Sequence, residues 1–484
     1  MNNTQTTYTT NKLIGTIVLL FMFTAFLERS VQEGMFFDGI TYASIARNLA
    51  IGKGSFWELY YRNSWTFSEH PPLMFGILSV FFRLLGDHFY TEKVYNLFIW
   101  IVTIIMLTSF WKKLTGNRKG SGYELLLLVW VIIPTVLWAY PNCLIDCTMA
   151  VFDLAAVMIL FNTYNKQKNS ILALLIAAIL MVCATLTKGP VGLFPLAVPF
   201  IYHLVYKSKQ LPKAIMHTIV LTAIMAGIYL LLWRNDAARH SLQRYLDEQL
   251  FAALQGKREN TGGDMGRYAL LVELFNQLLP AIAPLALTWI LCKALKIQPL
   301  KEKHTRHIVF LLLIACCSSL PIMLSVKQRS FYLIPSFIYF AMAIALVAYP
   351  YYMALTTRYA LKYNAAKAMR YASMIAIAGI GVFLYTKFGK VSRDEQYIND
   401  IKVMQTILPE GEKVGICLEM DKDYEFLAYI QRYHSLEVNL QYATSQYILI
   451  DDAWCKTNFT DTVLVLGYKP LNAPTKKYKL YKKD

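Results

Sequence analysis

Residues 71–86, PPLMFGILSVFFRLLG, decide the topology of this 484-residue chain. The segment is apolar, but it begins with two prolines, contains Arg83 and is short for a helix that must cross a hydrocarbon core about 30 Å thick. If it crossed the membrane, every later segment would lie on the opposite side. The charges of the later loops therefore decide its position.

Those loops carry a strong bias in charge. If residues 71–86 do not cross, five alternate loops hold 18 basic residues and a single acidic residue, Glu302. Loops with such an excess of lysine and arginine are cytoplasmic. We therefore predict that residues 71–86 lie on or in the outer interface as a short horizontal or re-entrant helix. The basic residues are Lys112, Lys113, Arg118, Lys119, Lys166, Lys168, Lys207, Lys209, Lys213, Lys293, Lys296, Lys301, Lys303, Arg306, Arg358, Lys362, Lys367 and Arg370.

The composition argues against a soluble protein of any class. Hydrophobic residues make up 56% of the chain and charged residues only 16%, with a mean hydropathy of +0.38, whereas soluble domains carry about a quarter charged residues. The net charge of +17 reflects cytoplasmic loops, so we expect no nucleic-acid partner. The cysteines form no CxxC pair and no zinc-spaced cluster, so no structural metal site is predicted.

Apolar runs of membrane-spanning length recur along the first 388 residues. They predict a mainly α, polytopic protein of the cytoplasmic (inner) membrane with about 11 membrane helices and interfacial helices in the first outer loop. The first run lacks a small-residue cleavage site, so we interpret it as a retained helix. The predicted spans are 13–30, 93–111, 122–140, 147–164, 171–187, 190–206, 214–233, 269–292, 308–325, 331–349 and 371–387.

Residues 389–484 are more polar and predict a separate, extracytoplasmic α/β domain. The segments DEQYINDIKVMQTIL and DYEFLAYIQRYH are typical of helices, and KVGICLEM and SQYILIDD of strands. The closing KKYKLYKKD is either a last strand with a solvated face or a contact for anionic lipid headgroups. In an oxidising compartment Cys417 and Cys455 could pair. The lone DxD of Asp421 and Asp423 is not expected to be a metal site.

The first outer loop supplies the first candidate for catalysis. In FDGITYASIARNLA, apolar residues recur with helical spacing from Tyr42, which predicts an amphipathic interfacial helix. Asp38 precedes its first turn. This carboxylate is either an N-cap or a general base for a hydroxyl nucleophile. We assign Tyr42 to substrate binding.

The segment WTFSEHPPLMFG places Glu69 and His70 directly before two prolines, which fix the direction in which the chain enters the following helix. A Glu-His dipeptide does not easily present both side chains to one metal ion, so no metal site is predicted. We assign both residues to substrate binding, with His70 as a hydrogen-bonding or phosphate contact.

Two acids lie in the segment YPNCLIDCTMAVFDLAAVMIL. Asp146 is at the outer mouth of a predicted membrane helix, and Asp153 is two turns further in. Placing an acidic side chain inside a membrane costs free energy, so such residues usually have a function or face the interior of the protein. Asp146 is the candidate for catalysis, whereas Asp153 is expected to pack or hydrogen-bond between helices.

Basic residues occur at the same outer boundary. Lys188 ends a predicted span in ATLTKGPVGLFPL, and Lys327 and Arg329 lie in SVKQRSFYLIP. Lys188 is either an interfacial lysine that extends to water or a cation for a phosphate. Lysine and arginine are normally enriched on the cytoplasmic side, so clusters of them on the outer side need a reason. An anionic lipid headgroup is the favoured explanation, and we assign all three residues to substrate binding.

Taken in order, FDGITYASIARNL, EHPPLMFGILSVFFRLLG, the Asp146 turn, LTKGPVGL and VKQRSFYLIPS resemble the bacterial relatives of protein O-mannosyltransferases and of lipid A aminoarabinose transferase. These are polytopic glycosyltransferases of the GT-C class. The resemblance covers about residues 13–350. It implies a polyprenyl-phosphate-linked sugar donor, used at the outer membrane face with inversion, and Asp38 as the base. His70 stands where the aminoarabinose enzymes have a lysine before proline.

The predicted function is therefore transfer of a monosaccharide from a polyprenyl-phosphate donor to a hydroxyl of a lipid, glycan or protein acceptor, within the membrane lipids. No cofactor is required by this chemistry, although a divalent metal stays possible. The alternatives are a transporter or lipid flippase, and a non-catalytic assembly or receptor protein. The polar loop 234–268, with Asp247, Glu248, Arg258 and Gly262-Gly263, is a candidate cover for the site.

Overall fold

A computed structural model describes residues 3–62, 65–116, 122–165, 170–207, 211–257, 261, 263–302, 304–361 and 363–483. Part of the predicted loop features falls outside these ranges. The basic residues concerned are Arg118, Lys119, Lys166, Lys168, Lys209, Lys303 and Lys362, and Arg258 and Gly262 of the candidate cover also lie outside the described residues.

The described residues are mainly α-helical. The helices are α1 (Asn3–Ser30), α2 (Phe37–Ala50), α3 (Leu73–Leu85), α4 (Thr91–Thr115), α5 (Tyr123–Val131), α6 (Pro134–Ala139), α7 (Ile145–Asn165), α8 (Ile171–Lys188), α9 (Val198–Tyr206), α10 (Leu211–Trp233), α11 (Asp236–Tyr245), α12 (Ala252–Leu254), α13 (Ala269–Ala294), α14 (Thr305–Ser319), α15 (Ile334–Arg358), α16 (Tyr363–Lys387), α17 (Glu395–Ile407), α18 (Tyr424–His434) and α19 (Phe459–Val465). The strands are β1 (Gly54–Ser55), β2 (Glu58–Arg62), β3 (Trp65–Phe67), β4 (Lys413–Gly415), β5 (Glu437–Asn439), β6 (Tyr447–Ile450), β7 (Tyr468–Pro470) and β8 (Lys479–Lys483).

Within the described ranges, nine helices are long and apolar enough to cross a bilayer, and they match nine of the predicted spans. The predicted span 122–140 is a pair of helices bent by 78°, because Pro134 cannot continue the preceding helix and starts a new one. The predicted span 190–206 is shorter than a full crossing and begins as a 3-10 helix, Pro190–Ala197, before α9. The 13-residue α3 matches the short helix predicted from residues 71–86. The prediction of a mainly α, polytopic membrane protein is confirmed.

The chain divides into two compact units, the first of which comprises Met1–Glu28, Ser68–Met74 and Asn96–Thr386. Among the candidate membrane spans that the structure describes, the one that contains α15 is the most buried, and α15 packs against α7, α13 and α14. Stacked aromatic rings fill one part of the core, with Trp100 and Trp130 centred 4.8 Å apart and Tyr140 edge-on to both. Helices α13 and α16 expose most of their apolar side chains, as expected for surfaces that face lipid.

The second unit comprises Arg29–Phe67, Phe75–Tyr95 and Lys387–Asp484. The C-terminal residues thus share a compact unit with much of the first loop, and α2 packs against α18. Strands β1, β2 and β3 form an antiparallel sheet that the sequence analysis did not predict. Asn48 on α2 donates to the carbonyls of Tyr60 and Tyr61 at 3.1 Å, which attaches this sheet to the helix.

A five-stranded sheet, in the order β5-β4-β6-β8-β7, forms the C-terminal part of this unit. Strand β4 is parallel to β5 and β6, whereas β8 is antiparallel to β6 and β7. The four C-terminal elements predicted from the sequence correspond to α17, β4, α18 and β6, and the basic terminal segment forms β8. Cys417 and Cys455 follow β4 and β6 at the same edge of the sheet and form a disulfide bond.

The DxD aspartates have structural partners in this unit. Asp423 accepts a hydrogen bond from the backbone N–H of Phe426 at 3.0 Å and so caps the N-terminus of α18. Asp421 forms an ion pair with Arg62 at 3.4 Å. Both carboxylates are therefore occupied by contacts within the fold.

A buried arginine joins the C-terminal part of the second unit to the first loop. The guanidinium of Arg432 forms ion pairs with Glu92 at 2.9 Å and Asp87 at 2.7 Å, and it donates to the carbonyl of His88 at 2.9 Å. Burial alone would lower the pKa of Arg432, but Glu92 and Asp87 raise it above its ordinary value. Arg432 therefore stays charged, and its loss would break the ion pair of the buried Glu92.

We predict that Arg432→Gln destabilises the protein by about 3 to 5 kcal/mol, since breaking a buried ion pair strands the remaining charge. The matched control is Lys456→Gln, because Lys456 pairs with Glu419 while its side chain is 77% exposed, and exposed pairs contribute about 0 to 1 kcal/mol. The measurement is the thermal unfolding of each purified variant. Equal melting temperatures for the two variants would contradict the prediction.

Candidate active site

The first unit contains a cavity of about 240 Å³ at one end of several membrane helices. Its walls come from α7, the end of α8, the 3-10 helix that follows α8, the end of α14 and the start of α15, and one side is covered by residues 245–254. The lining residues are Glu69, His70, Asp146, Met149, Lys188, Pro190, Val191, Tyr245, Gln249, Leu250, Ala253, Leu254, Ser318, Pro321, Ile322, Leu324, Ser325, Lys327, Tyr332 and Pro335.

Two kinds of surface meet in this cavity. Half of the twenty lining residues are methionine, valine, leucine, isoleucine, alanine or proline, and the other half carry charged, imidazole, amide or hydroxyl groups. Binding sites for organic ligands typically combine a large apolar surface with a few polar groups that fix orientation. A ligand with a long apolar part and a compact anionic part would match both surfaces.

The central polar contact is an ion pair between Asp146 and Lys188. The Lys188 ammonium binds Asp146 Oδ1, and the two side chains are 9% and 1% exposed. The same ammonium lies 3.9 Å from the ring centre of Tyr332, where the negative face of an aromatic ring attracts a cation. Lys188 is thus held on one side by a carboxylate and on another by a ring.

The chain turn after Lys188 fixes the backbone at this point. Gly189 has φ +89°, a conformation that residues with a side chain rarely adopt. A Cβ atom on Gly189 would lie 1.9 Å from the hydroxyl oxygen of Tyr245, and that hydroxyl donates to the carbonyl of Lys188 at 3.1 Å. Glycine is therefore required here so that Tyr245 can reach the helix end.

Further polar side chains complete the lining. Glu69 is exposed, whereas His70 and Lys327 are half-buried. The backbone beside Lys327 is held by Thr261, which donates to the carbonyl of Gln328 at 2.7 Å and accepts from the backbone N–H of Gln328 at 2.7 Å. The cavity thus contains two lysines from separate segments, and Asp146 neutralises one of them.

Residues 245–254, which cover one side of the cavity, begin at the last residue of α11. Helix α11 continues into a π-helix, Leu246–Phe251, a rare conformation that is frequent at functional sites. Glu248 accepts a hydrogen bond from Ser68 at 2.5 Å and pairs with Arg244 at 3.1 Å. The hydrogen bond from Ser68 and the charge of Arg244 lower the pKa of Glu248. A charged Glu248 therefore attaches the cover to the segment that carries Glu69 and His70.

The structure brings together five of the residues assigned from the sequence. Glu69, His70, Asp146, Lys188 and Lys327 line one cavity, and their roles in chemistry stay predictions.

Three assigned residues are not among those lining residues. Arg329 is exposed, directly before the 3-10 helix Ser330–Leu333. Asp38 and Tyr42 belong to α2 in the second unit, where the Tyr42 ring is edge-on to Phe75 at 5.6 Å. Because α2 begins at Phe37, Asp38 lies within its first turn and is not the N-cap residue.

Sequence reasoning missed the aromatic and amide groups of the site. Tyr332 lies three residues after Arg329, in the same segment SVKQRSFYLIP whose cations had drawn attention. Tyr245 and Gln249 lie in the loop that was interpreted only as a candidate cover. Among the described residues, histidine, cysteine and acidic side chains form no cluster that could hold a metal ion.

The fold is similar to that of crystal structures of ArnT from Cupriavidus metallidurans. The form bound to undecaprenyl phosphate matches with a TM-score of 0.64 and 15% identity, and the apo form with 0.62 and 14%. Each match covers 96% of this chain and 97% of ArnT. The chain shares the ArnT fold.

A second match is the oligosaccharyltransferase of Archaeoglobus fulgidus, in a crystal structure with zinc and sulfate. Its TM-score is 0.50 at 12% identity, over 96% of this chain and 73% of that protein. No family model matches the sequence, and no curated protein matches it significantly. The resemblance to GT-C glycosyltransferases drawn from the sequence is confirmed at the level of the fold.

We predict that Lys188→Met destabilises the protein by about 3 to 5 kcal/mol, because Asp146 would be left buried without its cation. The double variant Lys188→Met/Asp146→Asn removes the stranded charge and should recover part of that loss. Lys327→Met is the matched control, since among the described residues no ion pair involves Lys327. Thermal unfolding measures all three, and a Lys188→Met protein as stable as Lys327→Met would contradict the prediction.

Proposed function

We propose that this protein transfers a monosaccharide from a polyprenyl-phosphate-linked donor to a hydroxyl group of a lipid, glycan or protein. The observation that carries the proposal is the cavity in which an apolar wall meets Lys188, Lys327 and His70. An isoprenoid chain matches the apolar wall, and a phosphate matches the cations. ArnT, which shares the fold, has been crystallised with undecaprenyl phosphate.

The lysines would act on the leaving group. Cleavage of the bond between the sugar and the phosphate leaves an additional negative charge on the departing polyprenyl phosphate. Fixed cations in a site with little water stabilise such developing charge, because they need not reorganise during the reaction. Lys188 is already oriented by Asp146 and Tyr332. Lys327 and His70 would supply the other contacts, and we propose no metal cofactor.

Asp38 is proposed as the general base. The acceptor hydroxyl attacks the anomeric carbon while Asp38 accepts its proton, and polyprenyl phosphate leaves from the opposite face, so the configuration inverts. The transition state would resemble an oxocarbenium ion, as in other glycosyl transfers. Asp146 is already engaged with Lys188. We therefore assign Asp146 to orienting that cation and not to removing the proton.

We place the reaction at the outer face of the cytoplasmic membrane. The excess of basic residues in the alternate loops supports this orientation. The disulfide between Cys417 and Cys455 in the second unit also supports an extracytoplasmic location for that unit, since disulfides persist mainly in oxidising compartments.

Asp38→Asn is expected to lower the rate of sugar transfer by about 10²- to 10⁴-fold, the typical contribution of a general base. The assay uses purified protein, a polyprenyl-phosphate sugar and an extract of envelope acceptors, with mass spectrometry of the product. The control is Asp461→Asn, which changes a solvent-exposed acid of the second unit. If the Asp38→Asn variant transfers sugar at the wild-type rate, Asp38 is not the general base.

The two basic residues of the segment 327–329 should differ in their effects. Lys327 lines the cavity and Arg329 does not, so Lys327→Gln should weaken donor binding or turnover about 10-fold or more, the loss expected from one charged contact. Arg329→Gln should change donor binding and turnover by less than about 3-fold each. The same transfer assay over a range of donor concentrations measures both. A larger loss in Arg329→Gln would contradict the assignment of the phosphate site.

A further inference from the structure

A second polar layer lies beneath the cavity, formed by Asp153 of α7 and Tyr339 of α15. On α7, Asp146 and Met149 line the cavity, and Asp153 lies four residues beyond Met149. On α15, Pro335 lines the cavity, and Tyr339 lies four residues beyond it. Residues four apart on a helix share a face. Two walls of the cavity therefore each continue inward to one polar side chain.

The depth and the surroundings of this layer follow from helix geometry. Seven residues of α-helix separate Asp153 from Asp146, which places Asp153 about 10 Å further into the membrane helices on the same face. The 3-10 helix that supplies Pro190 and Val191 to the cavity also supplies Phe194 to this layer. The centre of the Phe194 ring lies 5.8 Å from the centre of the Tyr339 ring. An aromatic ring therefore packs against the Tyr339 side of this layer.

Neither side chain has its hydrogen-bonding groups satisfied by protein. Asp153 is 0% exposed and Tyr339 is 1% exposed. Among the described residues, Asp153 Oδ1, Asp153 Oδ2 and the Tyr339 hydroxyl have no hydrogen-bond partner. Helices α7 and α15, which carry the two side chains, pack against each other. Three unsatisfied polar atoms therefore lie on two packed helices in the membrane interior.

The charge state of Asp153 follows from the absence of a counter-charge. Within the described part of the chain, neither oxygen of this carboxyl group has a hydrogen-bond partner, cationic or neutral. Moving an isolated carboxylate into such surroundings is far more costly than protonating it. A protonated carboxyl and a phenol together offer two O–H donors and several acceptor lone pairs. A buried water typically bonds to two to four polar groups of this kind.

We propose that Asp153 and Tyr339 form a neutral site that binds one water molecule beneath the cavity, with the Asp153 carboxyl protonated. The water bridges the carboxyl and the phenol and so connects α7 to α15. These helices carry Asp146 and Pro335 of the cavity. The site is distinct from the catalytic assignment of Asp38 and the phosphate contacts, and it does not depend on the proposed reaction.

The direct test is infrared spectroscopy of the purified protein at neutral pH. We expect a carbonyl band of a protonated carboxyl group that is lost in Asp153→Asn and shifted in frequency in Tyr339→Phe. Subtracting the Asp153→Asn spectrum removes the contribution of other buried acids. If the two spectra do not differ in the protonated-carboxyl region, Asp153 is ionised and the proposal fails.

Thermal unfolding tests the shared water. Asparagine can hydrogen-bond without carrying charge, so Asp153→Asn should keep the melting temperature within a few degrees of the wild type. Asp153→Leu and Tyr339→Phe should each lower the melting temperature more than Asp153→Asn does. The double variant of Asp153→Leu and Tyr339→Phe should lower it by less than the sum of the two single effects, because both substitutions remove the same water. If Asp153→Asn lowers the melting temperature as much as Asp153→Leu does, the site requires a negative charge. The bound ligand would then be a cation and not a neutral water molecule, which would contradict the proposal. Additive losses would show that no ligand is shared.

Discussion

The buried ion pair between Lys188 and Asp146 is the interaction on which the cavity depends. An ammonium at the end of a membrane helix would normally extend toward water, but Asp146 and the Tyr332 ring hold this one inside. The helix ends at Gly189, whose conformation leaves room for Tyr245 against the Lys188 carbonyl. One positive charge is thereby fixed in a partly dry place before any ligand binds. Such preorganisation is what electrostatic stabilisation of a leaving anion requires.

The apolar part of the site follows from the same architecture. One end of each of the helices α7, α8, α14 and α15 lies at the cavity, so their terminal turns present both apolar and polar side chains to one volume. The cover adds leucine and alanine side chains on one side, and Glu248 attaches it through Ser68. Beneath the cavity the walls close around Asp153 and Tyr339. The site is thus charged in its upper layer and enclosed by uncharged groups below, which matches an amphiphilic ligand bound from one side.

Much of the fold was predictable because bilayer physics leaves strong patterns in sequence. Apolar length and loop charge identified the spans and kept residues 71–86 as a short helix, and the Pro134 bend is the kind of break that length alone does not reveal. The antiparallel sheet β1 to β3 was missed because its strands have only two to five residues. In the site, ionisable residues were identified because acids inside membrane helices and clustered cations on the outer side are both uncommon. Tyr332 and Tyr245 were missed because tyrosine is common there, and only the fold brings their rings and hydroxyls to Lys188.

Photo-crosslinking shows most directly whether the cavity of the first unit binds a polyprenyl phosphate. The probe is a polyprenyl phosphate that carries a photoreactive group in its isoprenoid chain. Purified protein is irradiated with this probe, digested and mapped by mass spectrometry. We expect labelling of the apolar wall at Leu250, Leu254 or Ile322, suppressed by an excess of undecaprenyl phosphate. Labelling confined to other helices, or undiminished by the unlabelled lipid, would contradict it.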